Sequence, residues 1–92
     1  MSGIPSDRDS IFEYPCRFFI KAIGYNRPEF RSTILALAQR HAPEVMDGDI
    51  QQRYSADHNY LALTITMLAQ SRAQLDAIYT ELSRHELVLM AL

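Results

Sequence analysis

An apolar segment near the amino terminus restricts the possible folds of this chain more than any other part of the sequence. Residues 14–24 read YPCRFFIKAIG, with charges only at Arg17 and Lys21. The even positions carry apolar side chains throughout, namely Cys16, Phe18, Ile20 and Ala22. Because side chains alternate across a strand, this pattern predicts a β-strand with a buried even face and an odd face that mixes apolar and basic residues.

Two later segments have the spacing of amphipathic helices. The first is expected to begin after Asn26, which has Glu29 three residues later as a capping box requires, and to end before Pro43. The second is expected to begin at Ser71, with Gln74 in the matching position. Apolar residues recur at helical spacing in both segments, so each helix has one face suited to a core.

Three further segments have either the alternating or the continuously apolar pattern of side chains that is typical of strands. Residues 50–55 predict a polar edge strand, and 60–67 a strand with leucine, isoleucine and methionine on one face. Residues 57–59 predict the hairpin turn between them. The apolar run 87–92 predicts the last strand. The order βαββαβ favours an α+β, ferredoxin-like two-layer sandwich, in which two helices cover one face of a four-stranded antiparallel sheet.

Four segments in this order, 14–24, 39–43, 59–66 and 74–92, resemble the YbeD-like family of small bacterial proteins. The resemblance implies the same βαββαβ fold, which is similar to ACT-type regulatory domains. It also implies a regulatory role, which has been suggested to concern lipoate metabolism.

Composition narrows the functional classes. The chain has 92 residues, which suits one domain, predicted over 11–92 after a disordered tail at 1–10. The net charge of −2 provides no basic excess, so no nucleic-acid or membrane partner is expected. The segment 1–10 has no hydrophobic signal core, and with a single cysteine this favours a cytoplasmic protein.

No catalytic motif accompanies this composition. Cys16 is predicted to be an inert core residue, because no histidine or helix start adjoins it in the predicted fold. His41, His58 and His85 lack the spacing of metal ligands, so neither a metal nor a cofactor is expected. A thiol or metal enzyme is therefore the least favoured hypothesis, and the chain is predicted not to be an enzyme.

The face of the predicted sheet away from the helices is the first candidate site. Val88, Met90 and Leu92 are expected in the core, which places their neighbours outward. The predicted interface residues are Phe19, Ile23, Tyr60, Ala62, Leu87, Leu89 and Ala91. Such an apolar patch is typical of a homodimer or of a partner interface. The alternative is that the amino-terminal segment, through Ile11, Phe12 and Tyr14, covers it.

The turn Gly24-Tyr25-Asn26 is the second candidate site. A glycine at a helix start exposes backbone N–H groups that suit a carboxylate, so a small ligand is possible there, although a plain capped turn explains the same residues. The favoured hypothesis is a regulatory or binding module that acts through self-association or a protein partner, with small-ligand control. The alternative is a plain protein–protein interaction module without a small-molecule ligand.

Overall fold

Four strands and two helices follow one another in the predicted order along residues 13–92, the part of the chain that the computed structural model describes. A 3₁₀ turn at Asp47–Asp49 precedes the second strand. The elements are β1 Cys16–Tyr25, α1 Phe30–His41, β2 Ile50–Tyr54, β3 Tyr60–Ala69, α2 Arg72–Arg84 and β4 Val88–Ala91. The predicted tail at 1–10 and the anchors Ile11 and Phe12 lie outside the described residues.

The strands form one antiparallel sheet in the order β2-β3-β1-β4. β1 and β3 are central, and they pair along their whole length, from Cys16 opposite Ala69 to Tyr25 opposite Tyr60. β2 pairs with the other side of β3, and β4 with the other side of β1. The connections give a ferredoxin-like, ACT-like α+β fold.

One face of the sheet and one stripe of each helix form the core. Ile20 and Ala22 of β1 and Leu63 and Ile65 of β3 are fully buried, which confirms the alternation predicted for these strands. Both helices cover this face with the residues Phe30, Ile34, Leu37, Ala38, Leu75, Ile78 and Leu82. Burying each large apolar side chain contributes about 1.5–3 kcal/mol, so this layer is the main source of stability. Within residues 13–92 neither helix is long and apolar enough to cross a membrane.

The start of α1 differs from the prediction. The helix begins at Phe30, and its N-cap residue, Glu29, makes no side-chain capping bond. Asn26 does not cap the helix, because its side-chain amide donates to the carbonyl oxygen of His58 at 2.9 Å. Its backbone N–H donates to Asn59 at 3.0 Å. Asn26 therefore fastens the end of β1 to the turn between β2 and β3.

The start of α2 is as predicted. The Ser71 hydroxyl accepts a hydrogen bond from the Gln74 backbone N–H at 3.1 Å. The Gln74 side chain accepts from the Gln70 N–H at 2.7 Å and donates to the His41 carbonyl at 2.8 Å. One glutamine thus supports the start of α2 and satisfies a carbonyl at the end of α1.

Arg31 of α1 positions the segment that leads into β2. Its guanidinium donates to the Asp47 carboxylate at 2.8 Å, to the Asp47 carbonyl at 3.0 Å and to the Ile50 carbonyl at 2.8 Å. The hydrogen bond from Arg31 lowers the pKa of Asp47 below its ordinary value. A single side chain thereby joins a helix, a turn and an edge strand.

Glu81 of α2 joins the two helices at their exposed surface. Its carboxylate accepts hydrogen bonds from Arg40 and from Nε2 of His41, the latter at 2.9 Å. These contacts, that of Arg40 first, lower the pKa of Glu81 below its ordinary value of 4.5.

Replacing Glu81 by Gln should reduce the acid sensitivity of folding. A carboxylate whose pKa is lowered in the folded state contributes its full stabilisation at pH values above its ordinary pKa of 4.5. That contribution is lost as the pH falls through the pKa of the folded state. The difference in stability between wild type and Glu81→Gln, measured by urea denaturation, should therefore shrink as the pH drops below 4.5. Asp76→Asn, which removes an exposed ion pair with Arg72 on the same helix, is the control. A pH-independent difference for Glu81→Gln would contradict this account.

Gly24 lies where β1, β4 and α1 meet, and the packing there excludes a larger residue. A Cβ atom at this position would lie 2.3 Å from the carbonyl oxygen of Leu87 and 2.7 Å from the ring of Phe30. Because the first of these atoms is backbone, it has little freedom to move.

Gly24→Ala should destabilise the fold by about 1–3 kcal/mol or more, as overpacking does in a filled core. Gly48→Ala is the matched control, because a Cβ there meets nothing within 4 Å. Thermal or urea denaturation of both variants measures the difference. Equal stability of the two variants would show that the contact at Gly24 is not tight.

Candidate interaction surface

The candidate site is the sheet face opposite the helices, here called the open face. It consists of the odd residues of β1, the even residues of β3 and the residues of β2 and β4 that pair beside them. Phe19 is 58% exposed, and Leu68, Met90 and Leu92 are 45%, 52% and 60% exposed. Large apolar side chains thus remain in water along most of this face in the described part of the chain.

Two tyrosines form an aromatic corner at one end of the open face. Tyr25 and Tyr60 lie opposite each other in the register, and their rings stack with centroids 5.5 Å apart. The guanidinium of Arg27 lies 5.9 Å from the centre of the Tyr25 ring. The corner is therefore a preformed aromatic surface with a cation at its rim.

Four of the predicted interface residues lie on the open face. Phe19 and Tyr60 are exposed, and Ile23 and Ala62 are half-buried next to each other in the β1–β3 register. Leu89 of β4 is 50% exposed. Their participation in an interface stays a prediction.

The predicted orientation of the last strand is right at Val88, which packs against the core, and at Leu89, which is exposed, but it is wrong at the other four residues. Leu87 and Ala91 pack against the core, whereas Met90 and Leu92 are exposed. Ala91 lies opposite the buried Ala22 and Met90 opposite Ile23, and an irregularity next to Ile23 then brings Val88 opposite Gly24. An apolar run has no alternation to indicate which side chains point inward, so its sequence could not reveal this register.

The open face also carries basic side chains. All four strands lack Asp and Glu, yet they contain Arg17, Lys21 and Arg53. Lys21 and Arg53 line a shallow depression together with Gln51, Gln52, Ala62 and Thr64. Within residues 13–92, neither cation forms an ion pair with a carboxylate side chain. The overall charge of −2 conceals this separation, which is why composition did not reveal it.

The premise of the predicted ligand site at Gly24, Tyr25 and Asn26 is wrong. Gly24 is buried within β1, six residues before the start of α1 at Phe30, and packs against Leu87. Tyr25 and Asn26 are exposed, but the amide of Asn26 is engaged with the neighbouring turn. This turn therefore offers no helix N-terminus to an anion, and ligand binding here is an untested prediction.

The residues considered for chemistry have structural contacts. Cys16 is half-buried and packs against the core. His41 contacts Glu81, Nδ1 of His85 accepts from the Leu87 N–H at 3.1 Å, and the ring of His58 stacks on Tyr54. Within the described residues no three histidine, cysteine or acidic side chains are grouped to hold a metal.

Fold and open face together define a ferredoxin-like, ACT-like domain. The solution structure of protein HP0495 from H. pylori has a similar fold, with a TM-score of 0.72 over 100% of this chain and 94% of that one. The two sequences are only 15% identical, so this likeness concerns the fold.

Sequence comparison places the chain in a family. Residues 9–92 match the family described as "Protein of unknown function (DUF493)". A UPF0250 protein from Leptothrix cholodnii is 45% identical over 92 residues, or 100% of both chains. One from Chromobacterium violaceum is 41% identical over 86 residues, covering 94% of this chain and 97% of that protein. The chain belongs to this DUF493, or UPF0250, family of small YbeD-like bacterial proteins.

Replacing Phe19 should affect stability far less than replacing its neighbour in the core. Phe19→Ala is expected to cost less than about 1 kcal/mol, because the ring is mostly in water. Ile20→Ala, the matched control on the other face, should cost about 2–5 kcal/mol because it leaves a cavity. Urea denaturation of both variants measures the difference. A cost above about 2 kcal/mol for Phe19→Ala would mean that the chain itself covers this ring.

Proposed function

We propose that this protein is a small regulatory or binding module that docks a protein, either a partner or a second copy, on its open face. The observation that carries the proposal is the exposure of Phe19, Leu68 and Met90 on a face that the helices leave open. Exposed apolar patches of more than a few hundred Å² are typical of interaction sites in soluble proteins.

The dimensions of the sheet are adequate for this role. β1 and β3 have ten residues each. β2 and β4 have five and four residues. At about 3.3 Å per residue and about 4.8 Å between strands, the four strands together cover a flat area of about 450–500 Å². Because side chains project from the sheet, the accessible surface exceeds this flat area and approaches the ~800 Å² that each partner contributes to a standard interface.

Regulation is the finer part of the proposal. The ACT-like fold and the YbeD-like resemblance support a cytoplasmic module whose association is controlled, and lipoate metabolism is one setting that the resemblance suggests. A plain interaction module without a small-molecule ligand is the second candidate. It is favoured by the burial of Gly24, since this glycine packs against Leu87 and Phe30 instead of facing a ligand.

Site-specific photo-crosslinking in bacterial cells tests the docking surface. A photo-reactive phenylalanine analogue replaces Phe19 on the open face, or Ala36 on the exposed side of α1 as the control. Crosslinked species are expected from position 19 and not from position 36, because only the open face is proposed to contact a partner. A product of twice 10.6 kDa would identify a second copy, and any other mass a partner protein. Equal crosslinking at both positions, or none at position 19, would refute the proposal.

A further inference from the structure

We infer that the open face binds an acidic, apolar segment of a different protein rather than a second copy of this chain. This inference rests on the proposed function and adds the chemistry of the partner.

Charge is separated between the sheet and the rest of the molecule. The chain has 11 acidic residues, and all of them lie outside the four strands. Some carboxylates border the open face at its ends, where Glu44 and Asp49 share a depression with Arg17, and Glu29 and Glu86 share one with Arg27. Among residues 13–92, the depression in the middle of the face therefore holds Lys21 and Arg53 without an acidic side chain in its lining, and only the ends are balanced.

Lys21 and Arg53 occupy this middle region. Lys21 of β1 lies opposite Thr64, and Arg53 of β2 lies opposite Ala62. The two cations therefore lie on either side of β3. Two strand spacings and an offset of two residues along β3 separate their backbones by about 12 Å. The apolar side chains of Ile23 and Met90 lie in the same row as Arg53. A segment with carboxylates and apolar side chains can satisfy both features together.

A second copy fits this surface poorly. In a symmetric face-to-face dimer the same patch contacts itself, which would bring both copies of Lys21 and Arg53 into one interface. Removing a charged side chain from water without placing an opposite charge beside it costs free energy. Like charges that face each other across an interface also suppress association. The described strands provide no Asp or Glu to compensate, so charge complementarity favours a different, acidic chain.

Single-stranded nucleic acid is another anionic ligand that exposed sheets bind, and the observations favour it less. Such binding uses open aromatic rings as stacking platforms. Here Tyr25 and Tyr60 already stack on each other, and apart from Phe19 the large exposed apolar residues described on this face are leucine and methionine.

Binding of designed peptides to the full chain tests the inference. The probe is a fluorescein-labelled peptide made of four Glu-Glu-Leu-Leu repeats, and its counterpart has Lys in place of every Glu. Fluorescence anisotropy should show that the acidic peptide binds at least about tenfold more tightly, a preference of the size that charge complementarity provides. The affinity should fall between about 0.1 M and 1 M salt, as the screening length drops from about 10 Å to about 3 Å.

Charge reversal locates the binding site. The double variant Lys21→Glu/Arg53→Glu should weaken binding of the acidic peptide about tenfold or more, because two attractive contacts become repulsive. The control Arg72→Glu/Arg84→Glu changes the net charge equally on the exposed surface of α2 and should bind as the wild type does. Circular dichroism should show both variants folded, since all four side chains are exposed.

Four results would overturn the inference. They are failure of the acidic peptide to bind, equal binding of both peptides, equal loss in both double variants, and tighter binding of a labelled single-stranded oligonucleotide than of the acidic peptide. A tenfold gain in affinity on Asp7→Asn/Asp9→Asn would also overturn it, by identifying the chain's own acidic segment as the occupant. If crosslinking at position 19 succeeds while the acidic peptide fails, the docking surface stands and only the partner chemistry is wrong.

Discussion

The pairing of β1 with β3 is the interaction on which the rest of the structure depends. Ten consecutive residues of each strand lie opposite one another without an irregularity, from Cys16 to Tyr25. Because a shift of one residue would exchange the two faces, this register decides which side chains enter the core. The helices pack on the side where Ile20 and Leu63 point, and the edge strands add to the outer sides of the same pair.

The same alternation that builds the core also builds the candidate surface. Side chains that β1 and β3 do not bury, such as Phe19, Lys21 and Tyr60, necessarily share the opposite face. The carboxylates lie in helices, loops and the amino-terminal segment, so the sheet retains cations alone. A protein with a negative total charge thereby presents a positively charged and apolar face, which total charge could not indicate.

Hydrogen bonds between residues that are distant in sequence fix how the elements sit against one another. Arg31 of α1 reaches across to Asp47 and Ile50, Gln74 of α2 satisfies the last turn of α1 at His41, and Glu81 binds both Arg40 and His41. Polar side chains of this kind are compatible with many exposed positions. Only the approach of the helices and the edge strand in space selects their partners.

The sequence by itself determined the order of the elements, the buried faces of β1 and β3 and the cap at Ser71, because alternation and capping are local patterns. It also placed Phe19 and Ile23 on the uncovered face. Tertiary structure alone decided the rest. The irregular pairing near Gly24 turned Met90 outward and Ala91 inward, since an apolar run allows either register. Asn26 bonded to a turn 32 residues away instead of capping a helix, because the strand before it extends to Tyr25.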